Sequence, residues 1–198
     1  MIRHAAKTWL RLRYLAAAQP VPVYSEMEKR EHILSWQRAT GHQVFVETGT
    51  YLGKTALAVS PHFRECYTIE YDKSLYERAL VSFAGRANIT AYHGDSGEVI
   101  GLILKILKEP ALFWLDAHYC GGTTARISSD KFTPIEQELK QIFAHPIKNH
   151  LILIDDAREF LGRKGYPTLQ TMRELVSDTT PYTFRLLNDI IRIYREDI

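Results

Sequence analysis

Residues 44–53 are the first whose types and spacing fit a ligand-binding or catalytic role. A β-branched and aromatic run leads into Glu47, and Gly49 and Gly53 follow four residues apart. Glycine lets a backbone turn sharply or approach a ligand closely. A helix that starts after such a turn presents unpaired N–H groups to whatever lies above it. This stretch therefore predicts a cofactor-binding turn between a buried strand and a helix.

The charge of Glu47 narrows the choice of cofactor. A dinucleotide fingerprint requires Gly-x-Gly-x-x-Gly and lays a pyrophosphate on the helix N-terminus, but Tyr51 stands at the position of the middle glycine. A carboxylate two residues before Gly49 repels a phosphate and attracts a cation. S-adenosylmethionine carries a cationic amino-acid end, so the sequence favours this methyl donor over a dinucleotide.

The pattern Glu47-x-Gly49-x-Tyr51-x-Gly53 resembles motif I of class I S-adenosylmethionine-dependent methyltransferases. It is nearest the branch that contains the catechol, caffeoyl-CoA and macrolide-sugar O-methyltransferases. The resemblance covers residues 42–198 and implies methyl transfer to an oxygen of a small molecule. It also implies that these four residues contact the cofactor, with Glu47 and Gly49 at its methionine end. An ordinary strand-turn-helix of another α/β domain is the alternative interpretation of this stretch.

Three further residues are candidates for binding the nucleoside. Glu70 lies 21 residues after Gly49, the spacing at which such folds place the ribose-binding carboxylate. One carboxylate can hold both vicinal hydroxyls through charge-assisted hydrogen bonds, whereas Asp72 is a weaker candidate because it lies farther along the loop. Asp95 and Ser96 resemble the adenine-binding turn of the superfamily. Either residue could instead cap the next helix, and both roles are compatible.

Asp116, Asp155 and Asp156 form a second group of candidate residues. They follow the apolar runs 111–115 and 150–154, and the carboxyl ends of such strands are where α/β sheets bind ligands. Three converging carboxylates require a neutralising cation, and their hard oxygen atoms suit Mg²⁺, with Mn²⁺ or Ca²⁺ as alternatives. In the catechol-type enzymes that the chain resembles, acids at these positions hold a metal that activates the substrate hydroxyl.

The resemblance has a gap at the general base. Catechol-type enzymes carry a lysine three residues after the acid that matches Asp116, whereas this chain has Tyr119 there and His118 before it. Histidine titrates near neutral pH and is a reasonable substitute. His118 and Asp116 are therefore the candidate catalytic residues, with Asp116 also placed beside the cofactor. A structural role for His118 is an equal alternative, and Asp155 or Asp156 would fit a cap if no metal binds.

These residues need an α/β framework, and the apolar pattern supplies one. Extended runs alternate with helical segments, and the turn Asn188-Asp189 between the last two runs indicates a hairpin. With the resemblance, this predicts a Rossmann-like, doubly wound, mostly parallel seven-stranded sheet with an antiparallel C-terminal hairpin. The predicted strands lie at 44–46, 66–72, 89–93, 111–115, 150–154, 182–187 and 190–194. The predicted helices lie at 25–39, 54–60, 74–84, 98–107, 134–144 and 168–176.

Composition narrows the class of protein. The 198 residues, 45% hydrophobic and 24% charged, fit one ordinary globular domain. A net charge of +2 gives no reason to expect a nucleic-acid partner. Cys66 and Cys120 lack a metal-binding spacing and fit free thiols in a reducing compartment. No apolar run approaches the ~20 residues that span a bilayer, and with the free thiols this predicts a cytoplasmic location. The resemblance to O-methyltransferases implies an enzyme with a small-molecule acceptor.

Residues 1–41 are predicted to form a helical extension to the methyltransferase domain at 42–198. Residues 1–18 are basic and contain no acid, and they suit a helix that packs on the domain or covers the substrate site. A membrane-surface helix, an organelle transit peptide and a homodimer contact are the alternatives. The loop at 121–131 is a candidate lid. Arg158 and other basic residues expected near the site could bind a carboxylate or phosphate of the substrate. Charged side chains that simply face solvent are the more common explanation.

Two rival functions use the same residues. A methyltransferase fold could hold a metal that catalyses a hydroxylase-like reaction, or it could be a non-catalytic module that keeps the cofactor pocket. Tyr119 at the expected lysine position is the feature that favours the second rival.

Overall fold

The computed structural model describes residues 22–116, 133–163, 165–179 and 181–196, whose strands form a mixed sheet flanked by helices. The strands are β1 (Val44–Thr48), β2 (Glu65–Glu70), β3 (Ile89–His93), β4 (Ala111–Leu115), β5 (Leu151–Ile154), β6 (Thr183–Leu187) and β7 (Ile190–Tyr194). The α-helices are α1 (Glu26–Thr40), α2 (Lys54–Val59), α3 (Lys73–Ser82), α4 (Ser96–Ile106), α5 (Ile135–Ala144) and α6 (Leu169–Ser177). Short 3₁₀ turns occur at Ser60–His62 and Ala157–Glu159.

The sheet has the strand order β3-β2-β1-β4-β5-β7-β6. Strands β1 to β5 are parallel, and β7 pairs antiparallel with both β5 and β6. The order reverses between β1 and β4, and open α/β sheets bind ligands at such a switch point, beyond the carboxyl ends of the strands. Thr48 and Leu115 are register partners there, so Gly49 and Asp116 emerge side by side. The predicted sheet and its antiparallel hairpin are confirmed.

The central strands are buried on both faces, which explains their continuous apolar runs. Side chains alternate between the two faces of a strand. Val44 and Val46 of β1 therefore join a core cluster with residues of α4 and α5, whereas Phe45 joins the opposite cluster with Ile33 of α1. The two layers hold the carboxyl ends of β1 and β4 in fixed register beneath the site.

Helix α1 is anchored to the sheet by several contacts. Ser25 and Glu28 form a capping box at its start. Ile33 is fully buried, and the rings of Trp36 and Tyr194 lie 5.2 Å apart. The segment 25–40 thus packs against the sheet through Ile33, on the face that also carries Phe45.

The strands and helices predicted within the described residues are present, with shifts of a few residues at their ends. Asp72, predicted at the end of the second strand, is instead the N-cap of α3, where its carboxylate accepts a hydrogen bond from the backbone N–H of Leu75 at 3.0 Å. Pro134, the first residue of the predicted helix at 134–144, is instead the N-cap of α5. The Thr133 hydroxyl still accepts a hydrogen bond from the Ile135 N–H at 3.3 Å.

Several predicted features lie outside the described residues: the helix at 1–18, His118, Tyr119, Cys120 and the loop at 121–131. Cys66 is buried and free. Within the described ranges, every helix is too short or too polar to cross a membrane.

Candidate cofactor and cation site

Glu47 lies buried at the end of β1, beneath the turn to α2. Its residue is 2% exposed, and its carboxylate accepts a hydrogen bond from Thr68 Oγ1 at 2.6 Å. The hydroxyls of Thr68 and Thr50 lie 2.5 Å apart; because Thr68 donates to Glu47, Thr50 donates to Thr68. Burial raises the pKa of Glu47 to about 8; the Thr68 bond opposes the rise, and the charge of Asp116 adds to it. The carboxyl group therefore keeps its proton at neutral pH until a cation approaches.

The turn between β1 and α2 passes through left-handed backbone three times. Gly49, Tyr51 and Gly53 have φ angles of 83°, 49° and 71°. A Cβ on Gly53 would lie 2.7 Å from the ring of Phe83, so both the backbone angle and the available space require glycine at this position. The ring of Tyr51 is exposed beside the turn.

Glu70 ends β2 and binds the glycine turn directly. Its Oε2 accepts a hydrogen bond from the Tyr51 backbone N–H at 2.7 Å, and its Oε1 accepts one from the Asp72 N–H at 2.9 Å. Burial raises the pKa of Glu70, although these backbone bonds oppose the rise. The backbone N–H of Tyr71 also hydrogen-bonds this carboxylate, which has about four acceptor sites in all, so Glu70 keeps some capacity to accept from a ligand. Glu70 thus lies at the turn, whereas Asp72 caps a helix.

Asp95 and Ser96 lie at the start of α4. The Asp95 carboxylate accepts a hydrogen bond from the backbone N–H of Gly97 at 2.8 Å, which makes it the N-cap, and Ser96 is buried. The capping role that the sequence offered as an alternative is therefore present. Contact with adenine stays a prediction for both residues.

A buried glutamate that the sequence analysis missed lies behind this turn. Glu138 on α5 is 1% exposed, and the hydroxyls of Ser96 and Thr48 lie against its carboxylate. Burial raises the pKa of Glu138 to about 7, while these two hydroxyls oppose the rise. The sequence carries a signal for this residue, because Glu138 stands on the apolar face of α5 defined by Ile135 and Ile142.

The three predicted cation ligands come together at the ends of β4 and β5. One carboxylate oxygen from each of Asp116, Asp155 and Asp156 lies within 4.8 Å of the others. The Asp116 N–H donates to the Thr48 carbonyl at 3.0 Å, and the Asp155 N–H donates to the Leu115 carbonyl at 3.1 Å. Asp156 has a φ of 54°, a left-handed conformation that aspartate tolerates. This bend lets two consecutive carboxylates face one point instead of opposite faces.

Two side-chain cations enter this acid cluster. Lys29 of α1 places its Nζ 2.6 Å from Asp155 Oδ2 and 3.8 Å from Asp156 Oδ1. Arg158 places one guanidinium nitrogen 2.8 Å from Asp156 Oδ1 and also pairs with Asp189 in the turn between β6 and β7. Arg158, expected more often to be a solvated charge, is therefore part of the site's ion-pair network.

The charges in the cluster act on one another. Burial, then the charges of Asp116 and Asp156, raise the pKa of Asp155, while Lys29 opposes the rise. Burial lowers the pKa of Lys29, but the hydrogen bond to Asp155 and the nearby carboxylates outweigh it, and the pKa ends above its usual value. The Lys29 ammonium therefore stays charged. Asp189 shares Arg158 with the cluster, so this network contains four carboxyl groups and two side-chain cations.

Lys29 is the second residue that the sequence analysis missed. It is the fourth residue after the Ser25 cap, and a basic residue near a helix N-terminus opposes the helix dipole. Glu26 of the same helix lies 3.6 Å from the Lys29 ammonium and is the partner that a local pattern can identify. Asp155 and Asp156 are more than a hundred residues away in the chain, so no local pattern identifies them.

Solved structures with the same architecture match the chain at low sequence identity. A methyltransferase from Podospora anserina bound to S-adenosylhomocysteine is 16% identical, with a TM-score of 0.64, over 88% of this chain and 80% of that one. The O-methyltransferase of tomaymycin synthesis from Streptomyces achromogenes, bound to S-adenosylmethionine, is 10% identical, with a TM-score of 0.64, over 87% and 81%. A 23S rRNA methyltransferase is 16% identical, with a TM-score of 0.54, over 88% and 70%.

These matches establish the fold, which is that of S-adenosylmethionine-dependent methyltransferases. No protein-family model and no curated protein sequence matches the chain. The same fold occurs in an enzyme of tomaymycin synthesis and in a 23S rRNA methyltransferase, so the fold alone does not identify the function of this chain.

Proposed function

We propose that the protein transfers a methyl group from S-adenosylmethionine to an oxygen atom of a small molecule. The observation that supports this most is the position of Glu70, whose carboxylate is bound to the glycine turn at the switch point of a methyltransferase-type sheet. Glu47 lies at the adjacent strand end. Two carboxyl groups beside a glycine turn suit a ligand with a ribose and a cationic amino-acid end.

Each part of the cofactor has a residue that suits it. Glu47, beneath Gly49, would face the methionine ammonium, and the approach of that cation would favour loss of its proton. The remaining acceptor capacity of the Glu70 carboxylate would bind the ribose hydroxyls. Asp95 and Ser96 would lie at the adenine, since they stand beyond β3 at the same edge of the sheet.

The acid cluster would hold the acceptor oxygen through a cation. Asp116, Asp155 and Asp156 fit Mg²⁺ by donor type and by the convergence of their oxygens, but the Lys29 ammonium lies against Asp155 and Asp156. A bound divalent ion would supply Lewis acidity that lowers the pKa of an acceptor hydroxyl. Metal assistance therefore stays a proposal, as does the role of His118 as general base.

Catalysis on this scheme is mainly placement and charge stabilisation. Bound S-adenosylmethionine supplies a methyl group already activated by its sulfonium. The turn 49–53 and Glu70 fix the donor, and the cluster at Asp116 orients the acceptor oxygen, whose proton must leave as the new bond to carbon forms. Asp116 lies beside both halves of the site because it follows β4, next to Thr48 of β1.

Calorimetric titration of the full chain with S-adenosylhomocysteine tests the proposal. We expect saturable binding, followed by turnover of S-adenosylmethionine with hydroxyl-bearing acceptors such as catechols and sugars. Absence of binding refutes the proposed function. Binding without turnover of any acceptor supports the non-catalytic module, and iron-dependent oxygen consumption without methyl transfer supports the hydroxylase-like rival.

The expectations about the rest of the chain are unchanged by the site. The division at residue 41, the cytoplasmic location and a homodimer contact stay predictions. Helix α1 belongs functionally with the site, because it carries Lys29 into the acid cluster.

A further inference from the structure

We propose that Lys29 is the resident cation of the acid cluster Asp116, Asp155 and Asp156, and that it takes the place of a divalent metal and keeps the metal out. Its ammonium lies 2.6 Å from an Asp155 side chain that is 1% exposed. Where Lys29 sits does not depend on the proposed function. Only the consequence for methyl transfer rests on that function.

Helix α1 holds Lys29 in place through contacts that do not involve the cluster. His32 Nε2 accepts a hydrogen bond from the guanidinium Nε of Arg192 at 2.9 Å. Ile33 is fully buried, and Tyr24 is hydrogen-bonded to Asn188. The helix therefore delivers Lys29 to the cluster as part of the packed core.

The ammonium and a divalent ion would compete for the same oxygens. Asp155 Oδ2 is bound to Lys29, and Asp155 Oδ1 accepts a hydrogen bond from the Asp156 N–H at 2.8 Å. Asp156 Oδ1 is shared by Lys29 and Arg158. A metal at this point would have to displace the lysine from Asp155 and lie beside a second positive charge, which opposes binding.

The resident ammonium can still do the electrostatic work expected of the metal. It carries three donor hydrogens, of which the short contact with Asp155 uses one. A remaining hydrogen can be donated to the acceptor oxygen and stabilise the negative charge that grows as the hydroxyl passes its proton to the general base, for which His118 is the candidate. Methyl transfer would then need no added divalent ion.

Titration of chelator-treated full-chain protein with Mn²⁺, followed by calorimetry and electron paramagnetic resonance, tests the inference. We expect weak binding to the wild type and binding about tenfold or more tighter to Lys29→Met, because the competing charge is gone. The added affinity should disappear in Lys29→Met combined with Asp155→Asn. Arg38→Met is the matched control, because it removes one positive charge from the same helix about 13 Å along its axis, and its Mn²⁺ affinity should equal that of the wild type.

The inference would be overturned if the wild type bound Mn²⁺ tightly and Lys29→Met bound it equally tightly. It would also be overturned if the Lys29→Met protein were folded and bound Mn²⁺ no more tightly than the wild type. If Lys29→Met fails to fold, Lys29→Gln takes its place, and tight binding by the wild type alone still decides against the inference. S-adenosylhomocysteine titration of the same samples reports the proposed function separately. A protein that binds no S-adenosylhomocysteine but shows the Mn²⁺ pattern would retain the inference about Lys29 and lose the methyltransferase assignment.

Discussion

Replacing Glu70 with glutamine tests the ribose site, and its effect can be worked out from the structure. The two oxygens of Glu70 accept backbone hydrogen bonds at 2.7 Å and 2.9 Å, and the Tyr71 backbone adds a third. A carboxylate has about four acceptor sites, so a ribose can still hydrogen-bond to it. Glutamine keeps the shape but loses the charge and turns one acceptor into a donor. Loss of charge assistance from two ligand bonds costs about 2 kcal/mol, which corresponds to roughly 30-fold weaker binding of S-adenosylhomocysteine.

The same substitution should also lower the free energy of unfolding by about 2 kcal/mol, because a backbone N–H of Tyr51 or Asp72 then faces an amide NH₂ group. Calorimetry measures the first effect, and denaturant unfolding measures the second. Glu65→Gln is the control, since Glu65 lies at the other end of β2 with its side chain 43% exposed, and it should leave binding unchanged. A folded Glu70→Gln protein that binds S-adenosylhomocysteine as tightly as the wild type would refute the ribose role.

Three further predictions concern the turn and its neighbours. In denaturant unfolding, Gly53→Ala should lower the free energy of unfolding by about 1–3 kcal/mol more than Gly41→Ala. Both glycines have positive φ, but only a Cβ at residue 53 would meet the Phe83 ring. Equal losses for the two substitutions would contradict this. Glu47→Gln should gain stability relative to the wild type as pH rises from about 4.5 to 8, by several kcal/mol in order of magnitude. The reason is that an acid whose pKa is raised to about 8 in the folded protein stabilises the fold below its unfolded pKa and loses that contribution as pH rises through its folded pKa. A pH-independent difference in the free energy of unfolding would refute the raised pKa. Asp72→Ala should lower the free energy of unfolding by about 1 kcal/mol, because the α3 cap is lost. It should not weaken the binding of S-adenosylhomocysteine. Weaker binding would indicate that Asp72 contacts the ligand.

Much of the framework follows from local patterns in the sequence. The runs that became β1, β4 and β5 are apolar throughout because both their faces are buried. Ser25 and Glu28 show the spacing of a capping box, and this is the cap that α1 has. Such features depend on a few neighbouring residues, so the sequence predicts them well.

The site was less predictable, because its contacts join distant parts of the chain. The convergence of Asp116, Asp155 and Asp156 followed from strand ends meeting at one edge of the sheet, as predicted. The ion pair between Lys29 and Asp155 had no local pattern, since it depends on how α1 crosses the sheet. Asp72 was predicted at the end of the second strand, whereas it caps α3. An aspartate just after an apolar run is equally typical of a strand end, a loop and a helix cap, so the sequence alone does not distinguish them.

The order of the last strands has a consequence for how the site is assembled during folding. Strand β6 reaches the rest of the sheet only through β7, because β7 lies between β5 and β6. The two strands are joined by a two-residue turn, so the hairpin can form locally and dock onto β5 as a unit. Docking brings in Asp189, whose carboxylate accepts a hydrogen bond from the Arg158 backbone N–H at 2.8 Å. A chain whose hairpin has not docked lacks this anchor, so the charge balance of the acid cluster is completed late and binding competence should be among the last properties gained on refolding.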